Sequence, residues 1–338
     1  MVRIALDLMS GDRAPEEILE GALLSKNLCQ LVVIGTKSVL EKIDGVEKIE
    51  VEDFLPMDVK PMEILHRKTS SMYVGLKLVK EKLVDAFVCA GNTGALLAGA
   101  TFVVGRMEGV ERPALAVPVP STNGFAILID AGANARVRPE HLLDFAIMGL
   151  AYAKVLGKDK PKLGLLNVGE EENKGDEVTK EAYKLLKELF PDFFIGNVEG
   201  HDINAGKVDV VVADGFSGNV AMKTMEGTAK MILQTLKEKI ENSGIIAKLG
   251  ALLMKKVFLQ LKTTLDPRTY GGAFILGIDG IVVKAHGSSD RVAIKNAIEV
   301  AVRGCKMKLV ENIKEEIKRV RNSGACGGNK DSRSDRST

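Results

Sequence analysis

Short runs of β-branched and other apolar residues alternate with longer helical patterns along almost the whole chain. Such alternation is typical of βαβ units, which place parallel strands in one sheet and cover both of its faces with helices. One run, Ala126-Ile127-Leu128-Ile129, is apolar at every position, as expected of a strand that is buried on both sides. The pattern therefore predicts an α/β fold with three layers, α/β/α, around a mostly parallel sheet.

The same patterns predict where the elements and domain boundaries lie. Strands are predicted at residues 2–7, 30–35, 48–51, 86–90, 114–119, 125–130, 162–168, 194–198, 208–213, 273–276 and 280–284. Helices are predicted at residues 15–25, 71–82, 139–156, 178–189 and 219–242, with a last long helix at 290–321. We expect one α/β catalytic domain over residues 1–321, with an inserted amphipathic helical segment at about 228–264. Residues 322–338 lack apolar periodicity, and we expect a disordered tail there.

The composition excludes several classes of protein. The 338 residues carry a net charge of +2 and no Trp, which offers a nucleic acid neither a basic field nor many aromatic faces. The four cysteines form no CxxC pair, so neither a zinc site nor a disulfide framework is predicted. We see no signal peptide and no uninterrupted apolar stretch of about 20 residues. These features predict a cytoplasmic protein.

Polar segments that contain glycine follow six of the predicted strands. In parallel sheets, ligands bind beyond the carboxyl ends of the strands, and the start of the next helix favours an anion. A single segment indicates little, because glycine serves any tight turn. We expect several of the six to converge at one edge of the sheet and to form a phosphate site. They are Met9-Ser10-Gly11-Asp12, Gly91-Asn92-Thr93-Gly94, Ala131-Gly132-Ala133-Asn134, Asn167-Val168-Gly169-Glu170, Asp214-Gly215-Phe216-Ser217-Gly218-Asn219 and Ala285-His286-Gly287-Ser288-Ser289.

Other catalytic motifs are missing. The chain has no GxxxxGK followed by Ser or Thr, which a P-loop requires, and no GxGxxG after a strand. The segment at residues 215–219 differs from the GxSxG nucleophile elbow because Asn219 replaces the last glycine. We therefore interpret Ser217 as a helix N-cap or an anion ligand. The histidines show no metal-ligand spacing, and no metal site is predicted.

Two further segments leave alternatives open. The basic segment at residues 66–71 is either a solvated charged face or a loop that reaches over the site to an anion. Residues 245–261 are strongly apolar and contain lysines but no acid. A basic amphipathic helix of this kind can lie in a membrane interface, or it can bury its apolar face in a homodimer.

In this order, the segments resemble the PlsX family, the phosphate acyltransferases of bacterial phospholipid synthesis. The resemblance covers about residues 2–321 and includes Arg67-Lys68-Thr69-Ser70-Ser71-Met72. It departs from the family at Ser10, where a glycine is usual, at Ala131, where a valine is common, and in the polar tail. The resemblance implies a phosphotransacetylase-like or isopropylmalate dehydrogenase-like fold, a homodimer and loose membrane association, with no nicotinamide or metal cofactor.

The reaction that the resemblance implies converts acyl-[acyl carrier protein] and inorganic phosphate to acyl phosphate and free carrier protein. It also implies that a downstream glycerol-phosphate acyltransferase is a possible partner. Phosphate is already an oxyanion nucleophile, which fits the missing Ser or Cys triad. The enzyme must position this dianion against the thioester and stabilise the tetrahedral oxyanion. We expect the carrier protein to be acidic and to be steered by Arg67, Lys68, Lys255 and Lys256.

Candidate site residues follow from this chemistry. Phosphate is assigned to residues 92–94, to residues 217–219 and to a cation from Lys284 or His286, with Asn134 and Asn167 as oxyanion donors. The catalytic candidates are Asn92, Asn134, Asn167, Asp214, Lys284 and His286. The substrate-binding candidates are Gly91, Thr93, Gly94, Arg67, Lys68, Ser70, Ser71, Ser217, Gly218, Asn219, Lys223, Gly287 and Ser288.

Three other functions compete with this one. An acyl-CoA phosphotransacetylase on the same fold would differ in its acyl donor. A dehydrogenase of the isocitrate or isopropylmalate type would need NAD and a divalent metal, and the sequence shows no convincing carboxylate cluster for the metal. A membrane-recruited scaffold without catalysis would leave the polar strand ends without a purpose.

Overall fold

The computed structural model describes residues 1–265 and 271–322. Its strands are β1 Arg3–Asp7, β2 Gln30–Gly35, β3 Glu47–Glu50, β4 Ala86–Cys89, β5 Ala114–Ser121, β6 Gly124–Ile129, β7 Leu163–Leu166, β8 Phe194–Val198, β9 Val210–Val212, β10 Ala273–Leu276 and β11 Ile281–Lys284. Its α-helices are α1 Glu16–Ser25, α2 Lys37–Leu40, α3 Ser71–Lys80, α4 Thr93–Gly99, α5 Pro139–Val155, α6 Glu177–Leu189, α7 Gly200–Ala205, α8 Gly215–Glu241, α9 Ile245–Leu253, α10 Lys255–Leu265, α11 Arg291–Lys306 and α12 Leu309–Asn322. A 3-10 helix spans Pro61–Leu65, and a π-helix, Ala100–Val104, continues α4. The predicted tail lies outside the described residues, apart from Asn322.

All eleven strands form one sheet in the order β3-β2-β1-β4-β11-β10-β5-β6-β9-β7-β8. Side chains alternate between its two faces, so Ile4 and Leu6 join one apolar core and Ala5 joins the other. Helices α1, α5, α6, α11 and α12 cover the first core, while α3, α4 and α7 cover the second. The predicted α/β/α architecture is confirmed.

The direction of the strands changes in the middle of the sheet. Strand β10 is antiparallel to both β11 and β5, and β5 is antiparallel to β6. Strands β1, β4 and β11 therefore end at one edge, whereas β6, β7 and β9 end at the opposite edge. Three of the six polar segments therefore follow strands that end at one edge, and three follow strands that end at the other. Apolar periodicity reveals where a strand lies but carries no information about its direction.

The predicted helix at residues 290–321 is two helices. Helix α11 packs against α1, whereas α12 packs against α5. Between them, Lys308 adopts a left-handed backbone conformation with φ 52°, which interrupts the helical path. The sequence did not show this break, because apolar residues recur at helical spacing on both sides of it. Both helices pack these residues into the same apolar core on one side of the sheet.

Helices α8, α9 and α10 are much more exposed than the rest of the chain. Within α8 only Gly215 and Gly218 are buried, and α9 buries no residue. The segment predicted as an insertion at about 228–264 falls on the later turns of α8, on α9 and on most of α10. Its status as an insertion stays a prediction. Across residues 1–265 and 271–322, we find no helix with both the length and the apolarity needed to span a bilayer.

Candidate active site

A cavity of about 1520 Å³ lies over the antiparallel centre of the sheet, where Leu115 and Val117 of β5 form part of its wall. This position lets segments from both sheet edges reach it. Thr93, Lys284 and residues 286–289 come from one edge, and Gly132 and Asn219 come from the other. The cavity therefore collects residues from both edges, although the reversal at β10 and β5 makes their strands end at opposite edges.

Lys284 is the buried cation of this cavity. It ends β11 beside Cys89 of β4, and the Cys89 thiol lies 3.5 Å from the carboxylate of Asp7 on β1. The Lys284 side chain is 8% exposed, and its Nζ donates to the backbone carbonyls of Ala90, at 3.2 Å, and Ala285. Burial lowers the pKa of Lys284 to about 8. Its charge is therefore held by carbonyl dipoles and attracts an anion.

His286 follows two residues later and has a defined tautomer when neutral. Its Nδ1 accepts from the backbone N–H of Ser288, at 3.2 Å, and lies 2.9 Å from the Ser288 hydroxyl. The proton of the neutral ring is therefore on Nε2, where it can be donated. Burial lowers the pKa of His286, and the positive charge of Lys223 lowers it further. The ring thus favours the neutral form near pH 7.

The start of α4 is organised by Asn92. Its Oδ1 caps the helix by accepting from the backbone N–H of Ala95, and its Nδ2 donates to the carbonyl of Met57, both at 2.8 Å. Both ends of the amide are thus used inside the protein. Thr93, the first residue of the helix, lines the cavity. We therefore interpret Asn92 as a residue that positions the helix start and Thr93 as the group that faces a ligand.

The two glycines beside Asn92 are required by packing. A Cβ at Gly91 would lie 2.8 Å from Cβ of Ser10, and one at Gly94 would lie 2.8 Å from Cγ of Pro61. Such distances are shorter than real Cβ contacts. These glycines let the turn sit close to neighbouring side chains, and neither lines the cavity.

Asp214 accepts hydrogen bonds from the groups that are exposed at the start of α8. Its Oδ1 accepts from the backbone N–H groups of Phe216 and Ser217, each at 2.9 Å, and its Oδ2 accepts from the Ser217 hydroxyl at 2.6 Å. The N-cap is therefore Asp214 and not Ser217. Because a carboxylate already holds these groups, the helix start is a poor anion site. Of the residues from Asp214 to Asn219, only Asn219 lines the cavity, and Lys223 lines it one turn later.

A buried carboxylate that sequence reasoning overlooked shapes the opposite wall. Asp130 follows the apolar strand β6, and its Oδ1 accepts from the backbone N–H groups of Leu115 and Gly132. Its Oδ2 accepts from the backbone N–H and the side-chain Nδ2 of Asn134, at 2.7 and 2.9 Å. Burial raises the pKa of Asp130. Asp7 is the last residue of β1 and is also buried, so an Asp at the end of a largely apolar strand is the signal that marks both.

Several sequence-predicted residues lie outside the cavity, and their roles stay predictions. Arg67 is paired with Asp53, and the Ser70 hydroxyl donates to the carbonyl of Arg67 at 2.7 Å. Lys68 is exposed, Ser71 is buried, and Asn167 is bonded within its own loop to the carbonyl of Lys174. Asn134 borders a second, smaller cavity. The cavity also includes Asp12, which belongs to the first polar segment, together with Arg13 and Met57, which were not predicted as site residues.

The family assignment follows from comparison with known proteins. Residues 2–311 match the family model described as fatty acid synthesis protein. The chain is 72% identical to the phosphate acyltransferase of Pseudothermotoga lettingae, with 96% of this chain and 99% of that protein covered. It is 59% identical to the phosphate acyltransferase of Thermotoga maritima, with the same coverage of 96% and 99%. The chain belongs to this family of phosphate acyltransferases. It is therefore an acyltransferase of fatty acid and phospholipid synthesis.

Solved structures share the fold at low sequence identity. A phosphotransacetylase from Streptococcus pyogenes superposes with a TM-score of 0.59 at 16% identity, covering 91% of this chain and 94% of that one. A phosphotransacetylase from Staphylococcus aureus gives a TM-score of 0.57 at 14% identity, with 90% and 94% covered. These similarities establish the architecture that the family shares with phosphotransacetylases.

Proposed function

We propose that this acyltransferase moves a long-chain acyl group from acyl-[acyl carrier protein] to inorganic phosphate, giving acyl phosphate. The observation that carries the proposal is one cavity with two different ends. Lys284, His286 and Lys223 line its polar end, whereas Leu236 and Phe258 belong to its apolar part. A phosphate nucleophile and an acyl chain need these two environments side by side.

The polar end is suited to a dianion. Lys223 contributes to lowering the pKa values of both Lys284 and His286, which means that the three groups repel one another when charged. An anion placed among them relieves this repulsion. Thr93 adds a hydroxyl and a helix start to the same cavity. We place the phosphate between Lys284, His286 and Thr93.

In the proposed reaction, a phosphate oxygen attacks the thioester carbonyl carbon. The new C–O bond forms, the C–S bond breaks, and the proton of hydrogen phosphate ends on the thiol of the carrier protein. Because the neutral His286 carries its proton on Nε2, it can donate a hydrogen bond to the tetrahedral oxyanion or to the leaving sulfur. No side-chain nucleophile is required, and no acyl-enzyme intermediate forms.

The test of this step is whether carrier protein is released without phosphate. The proposal predicts no release and no stoichiometric burst until phosphate is added, with a higher kcat/KM for acyl-carrier protein than for acyl-CoA. A burst without phosphate would contradict direct attack. A preference for acyl-CoA would instead support the alternative, a phosphotransacetylase on the same fold.

The acyl chain is proposed to lie along α8. Leu233, Leu236 and Ile240 share one face of this helix and line the cavity with Leu252 and Phe258. The 22 residues from Asn219 to Ile240 span about 30 Å along the helix axis, which is long enough for a fatty acyl chain. The polar residues at the start of this face are thus followed by apolar ones, with Lys230 and Lys237 beside them along the cavity.

Leu236→Trp is expected to shorten the acceptable acyl chain, because the larger ring fills the apolar path. The ratio of kcat/KM for long-chain to short-chain donors should fall by about tenfold or more. Met231→Trp is the matched control, since Met231 lies on the same helix, is exposed and does not line the cavity. Equal effects of the two substitutions would place the chain elsewhere.

We also propose a homodimer and attachment to the cytoplasmic membrane surface, where a glycerol-phosphate acyltransferase would consume the acyl phosphate. The support is the composition of α9 and the start of α10. Ile245 and Ile246 are each 85% exposed and Leu253 is 81% exposed, beside Lys255 and Lys256. Apolar side chains next to lysines suit an anionic bilayer.

Lys255→Gln combined with Lys256→Gln is expected to weaken binding to anionic vesicles by about 2 kcal/mol, at about 1 kcal/mol for each lysine. Co-sedimentation with vesicles of rising anionic lipid content measures this loss, and neutral vesicles provide the reference. Unchanged sedimentation of the double variant would contradict the membrane role. If the variant changes molecular mass instead, these residues belong to the dimer contact.

A further inference from the structure

We infer that the second cavity of the structure is the docking surface for the acidic carrier protein. It measures about 890 Å³ and is lined by residues from the π-helix after α4, from the segment before β5 and from the start of α5. The inference rests on the proposed function, because it takes the acyl donor to be a protein. It assigns a place for that protein which lies apart from Arg67, Lys68, Lys255 and Lys256.

The charge of this cavity is strongly positive. Its charged lining residues are Arg106, Arg112, Arg136, Arg138, Glu111 and His141. The single carboxylate, that of Glu111, is shared by Arg138 and His141. Arg112 and Arg136 are exposed and form no ion pair with any residue in the described ranges 1–265 and 271–322. Two guanidinium groups are thus available to carboxylates of a partner.

The same surface has the composition of a protein interface. Phe102 is 60% exposed and lines the cavity with the arginines. Aromatic side chains and arginines dominate the binding energy of protein interfaces, and charge complementarity steers the partners together. A free phosphate ion would use the guanidinium groups but would leave the Phe102 ring in water. An acidic protein would use both.

The position of the surface fits delivery of the acyl group. Thr93 lines the main cavity, and Leu97 and Thr101, at steps of four residues, line the second cavity on the same face of the helix. The nine residues from Thr93 to Thr101 cover about 12 Å. Gly132 and Asn134 of one short loop also face the two cavities. A carrier protein seated on the second cavity can therefore extend its pantetheine arm to the phosphate site.

The test removes the two free charges with Arg112→Gln and Arg136→Gln and measures binding of holo-carrier protein by calorimetry. The Kd should rise at least about tenfold and become less sensitive to salt. Lys306→Gln with Lys318→Gln is the matched control, because these lysines are exposed, lie on α11 and α12 and line neither cavity. Arg112→Lys with Arg136→Lys should recover most of the affinity, which separates lost charge from misfolding.

The kinetic readout compares two donors. The ratio of kcat/KM for acyl-carrier protein to kcat/KM for acyl-pantetheine should fall at least about tenfold in the glutamine variant. An unchanged Kd would overturn the inference, as would a wild-type chain that does not bind holo-carrier protein. A glutamine variant that loses its oligomeric mass, or loses vesicle binding while it keeps the carrier protein, would also overturn it. If wild type binds the carrier protein but forms no acyl phosphate, the docking surface stands and the proposed function falls.

Discussion

Lys284→Met is expected to lower kcat/KM for acyl phosphate formation by about 10²–10³-fold, because it removes the buried cation that we propose holds phosphate and stabilises the developing charge. Steady-state kinetics with acyl-carrier protein and phosphate measure the effect, and the KM for phosphate should rise. Lys230→Met is the control, since Lys230 lines the same cavity two turns beyond Lys223 on the exposed part of α8. Near wild-type kinetics for Lys284→Met would remove Lys284 from the site.

The pH dependence gives a second readout of Lys284. Its pKa is lowered to about 8, so the side chain is charged below that pH and neutral above it. The KM for phosphate should therefore rise as the pH increases through about 8. This alkaline limb should be missing in Lys284→Met. A limb that persists in the variant belongs to another group.

The lowered pKa of Lys284 also predicts how its substitution changes the stability of the fold. Moving the pKa from 10.5 to about 8 corresponds to roughly 3 kcal/mol of unfavourable burial of the charged form. The folded chain binds fewer protons than the unfolded chain between these two pH values, so the free energy of unfolding rises with pH in that window. Lys284→Met should unfold at a temperature no lower than wild type at pH 7 and should lack this rise. A strong loss of Tm would mean that the activity was lost through unfolding.

Gly218→Ala is expected to destabilise the chain by about 1–3 kcal/mol or more and to lower activity, because the site depends on a close backbone contact. A Cβ at Gly218 would lie 2.0 Å from the backbone carbonyl oxygen of Asp130, and neither group can move easily. The start of α8 would be pushed away from the loop that contains Gly132. Chemical denaturation and acyl phosphate formation measure the two effects.

The same helix supplies the control for this prediction. A Cβ at Gly227 would meet no atom within 4 Å. Gly227→Ala should therefore be neutral or stabilise the chain by up to about 1 kcal/mol through helix propensity. If Gly218→Ala were as well tolerated as Gly227→Ala, the approach of α8 to Asp130 would not be needed for the site.

The sequence revealed the elements of this fold better than their arrangement. The apolar strand at residues 126–129 and its polar successor were predictable, because burial on both faces leaves a plain pattern. The reversal at β10 and β5 was not, since strand direction depends on pairing between residues far apart in the chain. The helix break at Lys308 was not predictable either, because the apolar residues keep their helical spacing across it.

The candidate site shows the same division. Lys284, His286, Thr93, Asn219 and Lys223 were predicted from polar strand ends, and the structure brings them to one cavity. The sequence could not show that Asp214 already occupies the first N–H groups of α8, because this depends on a side-chain rotamer. It also did not indicate the role of Asp130, whose five N–H donors come from residues that fold back around it. The sequence therefore indicates which polar residues follow the strands, but it does not show which backbone N–H groups are already bonded to another side chain.

The most direct measurement of the central claim is phosphorus NMR of the wild-type chain with long-chain acyl-carrier protein and inorganic phosphate. The account predicts that an acyl phosphate resonance grows as the phosphate resonance declines, in step with the release of free carrier protein. Lys284→Met should form the same product far more slowly. Release of carrier protein without an acyl phosphate resonance, or no reaction with wild type, would contradict it.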